Sequence, residues 1–157
     1  MLARLLMRLF VAASAIAVVG GLAFVYVKPP EGLRVTREGV PHLLRAANPH
    51  VLNISPPLNL NPRWFAPHVA YTLAKYGMSL CVLCMAEEFR PQGVAVNALW
   101  PRTAIDTAAI TLIAGEDTRQ RKTRKAAIMA DAAHAVLTRP SRECTGRFLI
   151  DDEVLAE

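Results

Sequence analysis

The sequence predicts an α/β fold: a partial doubly wound parallel sheet of about three strands with flanking helices, preceded by an N-terminal hydrophobic helix. Three observations predict it. Short apolar runs at 51–54, 94–99 and 147–150 have the length and composition of buried strands. The segments between them, with helical patterns at 67–89 and 119–138, are long enough for parallel crossovers. Residues 9–27, LFVAASAIAVVGGLAFVYV, contain no charge.

In order along the chain, Arg4 and Arg8 precede the apolar run and Lys28-Pro29-Pro30 ends it. Its length approaches the ~20 residues a helix needs to span a bilayer. An uncleaved anchor over residues 1–28 is the favoured reading, and a cleaved signal peptide is the rival. Basic residues at both ends leave its orientation open. Residues 29–38 form a polar linker with Pro and Gly. Residues 39–47 read as a short helix, broken at Asn48-Pro49. Val51-Leu52-Asn53-Ile54 reads as a strand, followed by a Pro- and Asn-rich loop from Pro56 to Pro62. In the helix at 67–89, Val69, Leu73, Tyr76, Leu80, Leu83 and Cys84 recur near helical period and mark its expected apolar face. Gly93 marks a turn, and Pro101 stops the strand at 94–99. A loop with a short helix covers 102–118. The helix at 119–138 ends at Arg139-Pro140, and Asp151-Asp152 closes the last strand. Residues 39–157 thus form one domain behind the anchor and linker.

Composition narrows the function classes. Hydrophobic residues make up 53% and charged residues 20% of the 157 residues, which excludes a disordered chain. The formal net charge is +5. The basic run Arg119, Arg121, Lys122, Arg124 and Lys125 reads as solvated surface. No aromatic residues interleave with it, so no nucleic-acid platform is expected. Cys81, Cys84 and Cys144 are too few and too odd in number for a disulfide framework. Cys81 and Cys84 lack a second pair or a nearby His, so no metal site is expected and a core role is.

The spacing that carries chemistry is Tyr71 to Lys75. Positions i and i+4 share one helix face, one turn apart. An ammonium there favours the phenolate and lowers the Tyr pKa, so that Tyr71 can pass a proton at neutral pH. Ser55 ends a strand, and the carboxyl ends of strands in open parallel sheets are where such folds place their chemistry. Its hydroxyl can hydrogen-bond a carbonyl oxygen as negative charge develops there.

The order strand–Ser55, helix with Tyr71-x-x-x-Lys75, and strand Val96-Asn97-Ala98-Leu99 running into Trp100-Pro101-Arg102-Thr103 resembles the short-chain dehydrogenase/reductase family. Cys144-Thr145-Gly146 and the strand after it match the family's closing segment. The resemblance implies a Rossmann-like fold, and NAD(P)-dependent interconversion of a small or lipid-like alcohol and ketone. It implies that Ser55 polarises the substrate carbonyl and that Tyr71 is the general acid/base. Lys75 would serve Tyr71 and hold the nicotinamide ribose. Pro101 and Thr103 would flank the nicotinamide, with Thr103 at the carboxamide. Homo-oligomers also fit the family.

The chain departs from the family pattern at its N-terminal side. Neither G-x-G-x-x-G nor a spaced relative of it occurs. Asn48 and Asn53 lie too near Ser55 to replace the family's catalytic Asn. The expectation is therefore an oxidoreductase sequence lacking its cofactor-binding half and inactive as it stands, with an exposed edge at strand 51–54 that favours association. The alternative is a membrane-anchored, non-catalytic binding or assembly protein. Membrane association through 9–27 is expected, with a cytoplasmic or organellar location otherwise.

Overall fold

In a computed structural model of the chain, residues 16–19, 22–25, 38–66, 68–108, 110 and 123–157 are described. Within the apolar run, β1 (Ile16–Val19) and β2 (Leu22–Val25) pair antiparallel, with Val19 opposite Leu22. The expected helix is therefore not formed by these residues. Ile16, Val18, Val19 and Val25 are β-branched, which favours a strand. The remainder of 9–27 and the linker at 29–37 lie outside the described residues. A short helix over 38–43 agrees with expectation.

The second sheet carries the fold. Strands β3 (His50–Ile54), β4 (Ala95–Trp100) and β5 (Phe148–Ile150) pair in the order β3-β4-β5, all parallel. Helix α1 (Val69–Phe89) connects β3 to β4, and helix α2 (Ala127–Leu137) lies between β4 and β5 in sequence. Each face of the sheet has its own core. On one, Val82, Met85 and Ala86 of α1 pack on Val96 and Ala98. On the other, Ala132 and Val136 of α2 and Val154 pack with Leu99. The central strand β4 is buried from Ala95 to Leu99, which explains its unbroken apolar character. The one polar residue in it, Asn97, is fully buried and satisfied. Its amide donates to Cys144 O at 2.7 Å and accepts from the Arg147 N–H at 2.9 Å, tying β4 to the approach to β5. Gly93 turns the chain into β4 at φ 76°, a left-handed conformation in which glycine costs nothing. A Cβ there would meet the Arg142 guanidinium at 2.6 Å.

Three expectations are corrected. The α1 stripe of Val69, Leu73, Leu80 and Leu83 faces away from the sheet, between 44% and 70% exposed. The buried positions are Thr72, Ser79, Val82, Met85 and Ala86. Helix α1 is apolar on both sides, so periodicity alone selects no face. Val69–Gln92 has the length and apolarity of a membrane-crossing helix, yet it covers the sheet here. Cys84 shares the outward stripe and is exposed, whereas Cys81 is half-buried and Cys144 buried. Finally, α2 begins at Ala127, and Arg124 instead makes a parallel bridge with Ile105. Its N–H donates to Ala104 O and its carbonyl accepts from Asp106, which excludes helical pairing there. Residues 119–122 of the expected helix and 111–118 of the expected loop lie outside the described residues.

A further helix, α3 (Asp151–Ala156), was not legible as a periodic segment. It is too short for that. Asp151, Asp152 and Glu153 occupy its first turn, where negative charge complements the exposed N–H groups.

Candidate active site

The site lies at the carboxyl ends of β3 and β4. The parallel register sets Ile54 beside Leu99, so Ser55 and Trp100 follow at one level on adjacent strands. Ser55 is fully buried, and its Oγ has no hydrogen-bond partner among the described residues. A buried hydroxyl without a partner is costly, and such atoms in native folds call for an explanation. Its backbone N–H donates to Asn53 O at 3.1 Å as the chain leaves the strand.

Helix α1 brings Lys75 to this strand end. Its Nζ donates to Ile54 O at 3.0 Å and lies 5.6 Å from the centre of the Trp100 ring, in cation–π range. Lys75 therefore bridges β3 and β4 at the level of Ser55. Tyr71 stands one turn earlier on α1, 58% exposed, and its hydroxyl makes no hydrogen bond among the described residues. One turn beyond Lys75, buried Ser79 donates its hydroxyl to Pro56 O at 2.7 Å. Tyr76 donates to Asn59 O at 2.7 Å, and its ring packs on Phe65 at 5.0 Å. These bonds fix the loop between Ser55 and α1. Leu58, Leu60 and Trp64 on that loop are exposed, Leu60 to 80%.

Pro101 follows β4 directly. Thr103 is drawn sideways: its Oγ1 accepts from Arg124 Nε at 2.7 Å. Arg124 in turn ion-pairs with fully buried Asp151 at 2.6 Å. This corrects the solvated reading of the basic run at Arg124, which is mostly buried because it must reach that carboxylate. Arg102 binds Asp152 at 3.0 Å and also Glu153, and its bond to Asp152 holds the Asp152 carboxyl below its ordinary range. Burial, with the nearby Cys84, pushes the Cys81 thiol up.

Ser55, Lys75 and Trp100 are thus brought together, Tyr71 stands on the same helix, and Thr103 is bonded instead to Arg124. Sequence reasoning missed Trp100, Ser79, Arg124 and Asp151. The i, i+4, i+8 polar stripe of Tyr71, Lys75 and Ser79 was a readable signal for Ser79. Nothing in the sequence pairs Arg124 with Asp151.

The fold, three parallel strands with flanking helices, is similar to that of short-chain dehydrogenases. A short-chain dehydrogenase of Mycobacterium thermoresistibile superposes with TM-score 0.72 at 42% identity over 83% of this chain and 46% of that one. A Xanthomonas campestris chain designated a dehydrogenase does so with TM-score 0.74 at 56% identity, over 80% of this chain and 45% of that one. The angucycline C-6 ketoreductase LanV, solved with bound NADP, shares the fold at TM-score 0.58 and 18% identity. More particularly, the chain is similar to hydroxysteroid dehydrogenase-like protein 2 of Danio rerio, 59% identical over 116 residues. That match takes in 74% of this chain and 27% of the relative, so the chain spans about a quarter of the curated protein it matches. No family model matches the chain. At these identities the likeness is homology to short-chain oxidoreductases.

Proposed function

We propose that residues 39–157 carry the catalytic half of an NAD(P)-dependent short-chain dehydrogenase/reductase that interconverts an alcohol and a ketone. The observation that carries this reading is the Ser55 hydroxyl, buried and without a partner beside Lys75 at the end of β3. Its free proton suits a substrate oxygen. In this reading Tyr71, exposed and uncommitted, gives its proton to that oxygen during reduction and takes it back during oxidation. Lys75 supplies positive charge beside the phenolate so formed. The exposed Leu58, Leu60 and Trp64 support an apolar, lipid-like substrate.

NAD(P)H, when bound, supplies the hydride. Lys75 would hold its nicotinamide ribose, and Pro101 and Thr103 would contact the nicotinamide. No Gly-rich loop for the pyrophosphate occurs in these 157 residues. The proposal is accordingly that turnover needs a dinucleotide-binding half beyond them. Mixing the chain with the N-terminal half of the Xanthomonas campestris relative, NADPH or NADH, and a panel of apolar ketones should produce cofactor oxidation. Tyr71→Phe and Ser55→Ala should abolish it. An unchanged rate in Tyr71→Phe sinks the acid/base assignment, and micromolar NADPH binding by the chain alone sinks the need for a second half. Membrane association through 9–27 is proposed from the apolar run, and recovery of the expressed chain wholly in the soluble fraction removes it.

A further inference from the structure

The loop from Ser55 to α1 leaves its apolar side chains outside. Leu58, Leu60 and Trp64 are exposed, Leu60 to 80% and Trp64 to 53%. A loop that merely frayed would leave its backbone to water, and here the main chain is satisfied from within. The Asn61 N–H donates to Asn59 Oδ1 at 3.0 Å, and the Arg63 N–H donates to Asn61 Oδ1 at 3.1 Å. The Tyr76 hydroxyl donates to Asn59 O and accepts from the Asn59 N–H. The N–H groups of Trp64 and Phe65 close a turn on Asn61 O and Pro62 O, at 3.0 Å each. In Leu58-Asn59-Leu60-Asn61 the asparagines are therefore used on the loop's own backbone, while the leucines remain exposed. Paired backbone groups are what an apolar phase requires of a segment that enters it.

The charge of this stretch has one sign. No Asp or Glu occurs in sequence between Glu38 and Glu87, whereas Arg45, Arg63 and Lys75 do. The Arg63 guanidinium lies over the Trp64 ring, 4.7 Å from its centre. An indole and apolar tips beside a cation suit the bilayer interface, where the ring sits at headgroup level and the cation meets lipid anions. A second copy related by a two-fold axis would set the same cationic surface against itself. A soluble acidic partner would answer Arg63 but not the leucines.

We propose that the loop at 58–64 is a docking surface for a bilayer that carries anionic lipid. Leu58, Leu60 and Trp64 enter the interface, and Arg63 binds headgroup anions. The proposal rests neither on the catalytic reading above nor on the apolar run at 9–27.

The test uses the full chain and vesicles of phosphatidylcholine, with or without phosphatidylserine, whose acyl chains carry bromine, a contact quencher of indole. The chain has two tryptophans, so the difference between wild type and Trp64→Phe isolates the Trp64 emission from that of Trp100. Quenching at a given lipid concentration should be about five-fold stronger with anionic vesicles than with neutral ones, the effect of one cation at a charged surface, and added salt should remove the difference. Leu60→Asp should weaken quenching about ten-fold, with an unchanged melting temperature because the side chain is exposed. Arg63→Gln should lose the preference for anionic vesicles. No quenching of Trp64 by anionic vesicles overturns the proposal, and so does quenching that Leu60→Asp leaves unaltered. Equal quenching by the two vesicle types overturns the role of Arg63. Shielding of Trp64 from iodide that grows with protein concentration, without lipid, gives the loop to a second copy, and shielding by soluble poly-glutamate gives it to an acidic polypeptide; either overturns the bilayer. Should Leu60→Asp fail to fold, the two vesicle types still decide with wild type. An anchor at 9–27 would sediment every variant with the vesicles without bringing bromine to Trp64, and loss of turnover in Tyr71→Phe leaves this quenching unmoved, so each reading can fail separately.

Discussion

Asp152 shows how one side chain at the rim of the site responds to its surroundings. Arg102 bonds both of its carboxylate oxygens, at 3.1 and 3.0 Å, and this holds the carboxyl below its ordinary range. The folded pKa is depressed, so the pair's contribution to stability is present above the unfolded value of about 4. It is lost as pH falls through the lower, folded value. Thermal melting from pH 7 down to pH 2.5 should show a stability loss in the acid limb that Asp152→Asn reduces. Equal acid limbs for the two proteins would remove Asp152 from the pH response. The pair is half exposed, so the effect should also shrink with added salt.

At the scale of elements, α1 decides most. It carries Tyr71 and Lys75, packs one core face, and pins the loop after Ser55 through Tyr76 and Ser79. Its two apolar faces have different consequences. Met85 is 4% exposed against the sheet, and Met85→Ala should cost about 2–5 kcal/mol by opening a cavity. Leu80 and Leu83 are 53% and 44% exposed on the other side. Leu80→Lys with Leu83→Lys should change stability by no more than about 1 kcal/mol. The same pair should lower light scattering at high protein concentration, because it breaks an exposed apolar stripe. Urea denaturation and static scattering measure the two effects. A large stability loss from the Lys pair would mean that this face is buried in solution.

For the whole molecule, the sheet has one central strand and two edges. Strand β4 pairs on both sides, while β3 pairs only with β4 among the described residues. Its other edge leaves alternate backbone groups without a sheet partner, and such edges recruit strands from other chains. Native-state hydrogen exchange should therefore show alternating fast and slow amides along His50–Ile54, against uniformly slow amides along Ala95–Leu99. Uniform protection of β3 would mean that a further strand pairs there. Supplying the N-terminal half of a relative should convert the alternating pattern into the uniform one.

The amino-acid sequence by itself determined the β–α–β–α–β order, the parallel strands and the positions of Ser55, Tyr71 and Lys75. These rest on local signals: short apolar runs, a long helical segment, and an i, i+4 spacing that any helix places on one face. Only the tertiary structure decided which face of α1 is buried, because both are apolar and the choice depends on what packs opposite. It alone decided that Arg124 leaves the helix to meet Asp151, since a fully buried carboxylate demands a partner that no local pattern announces. The strands at 16–19 and 22–25, where a helix was expected, have the same origin in ambiguity. An apolar run of β-branched residues around a glycine doublet satisfies either backbone, and hydropathy does not distinguish them.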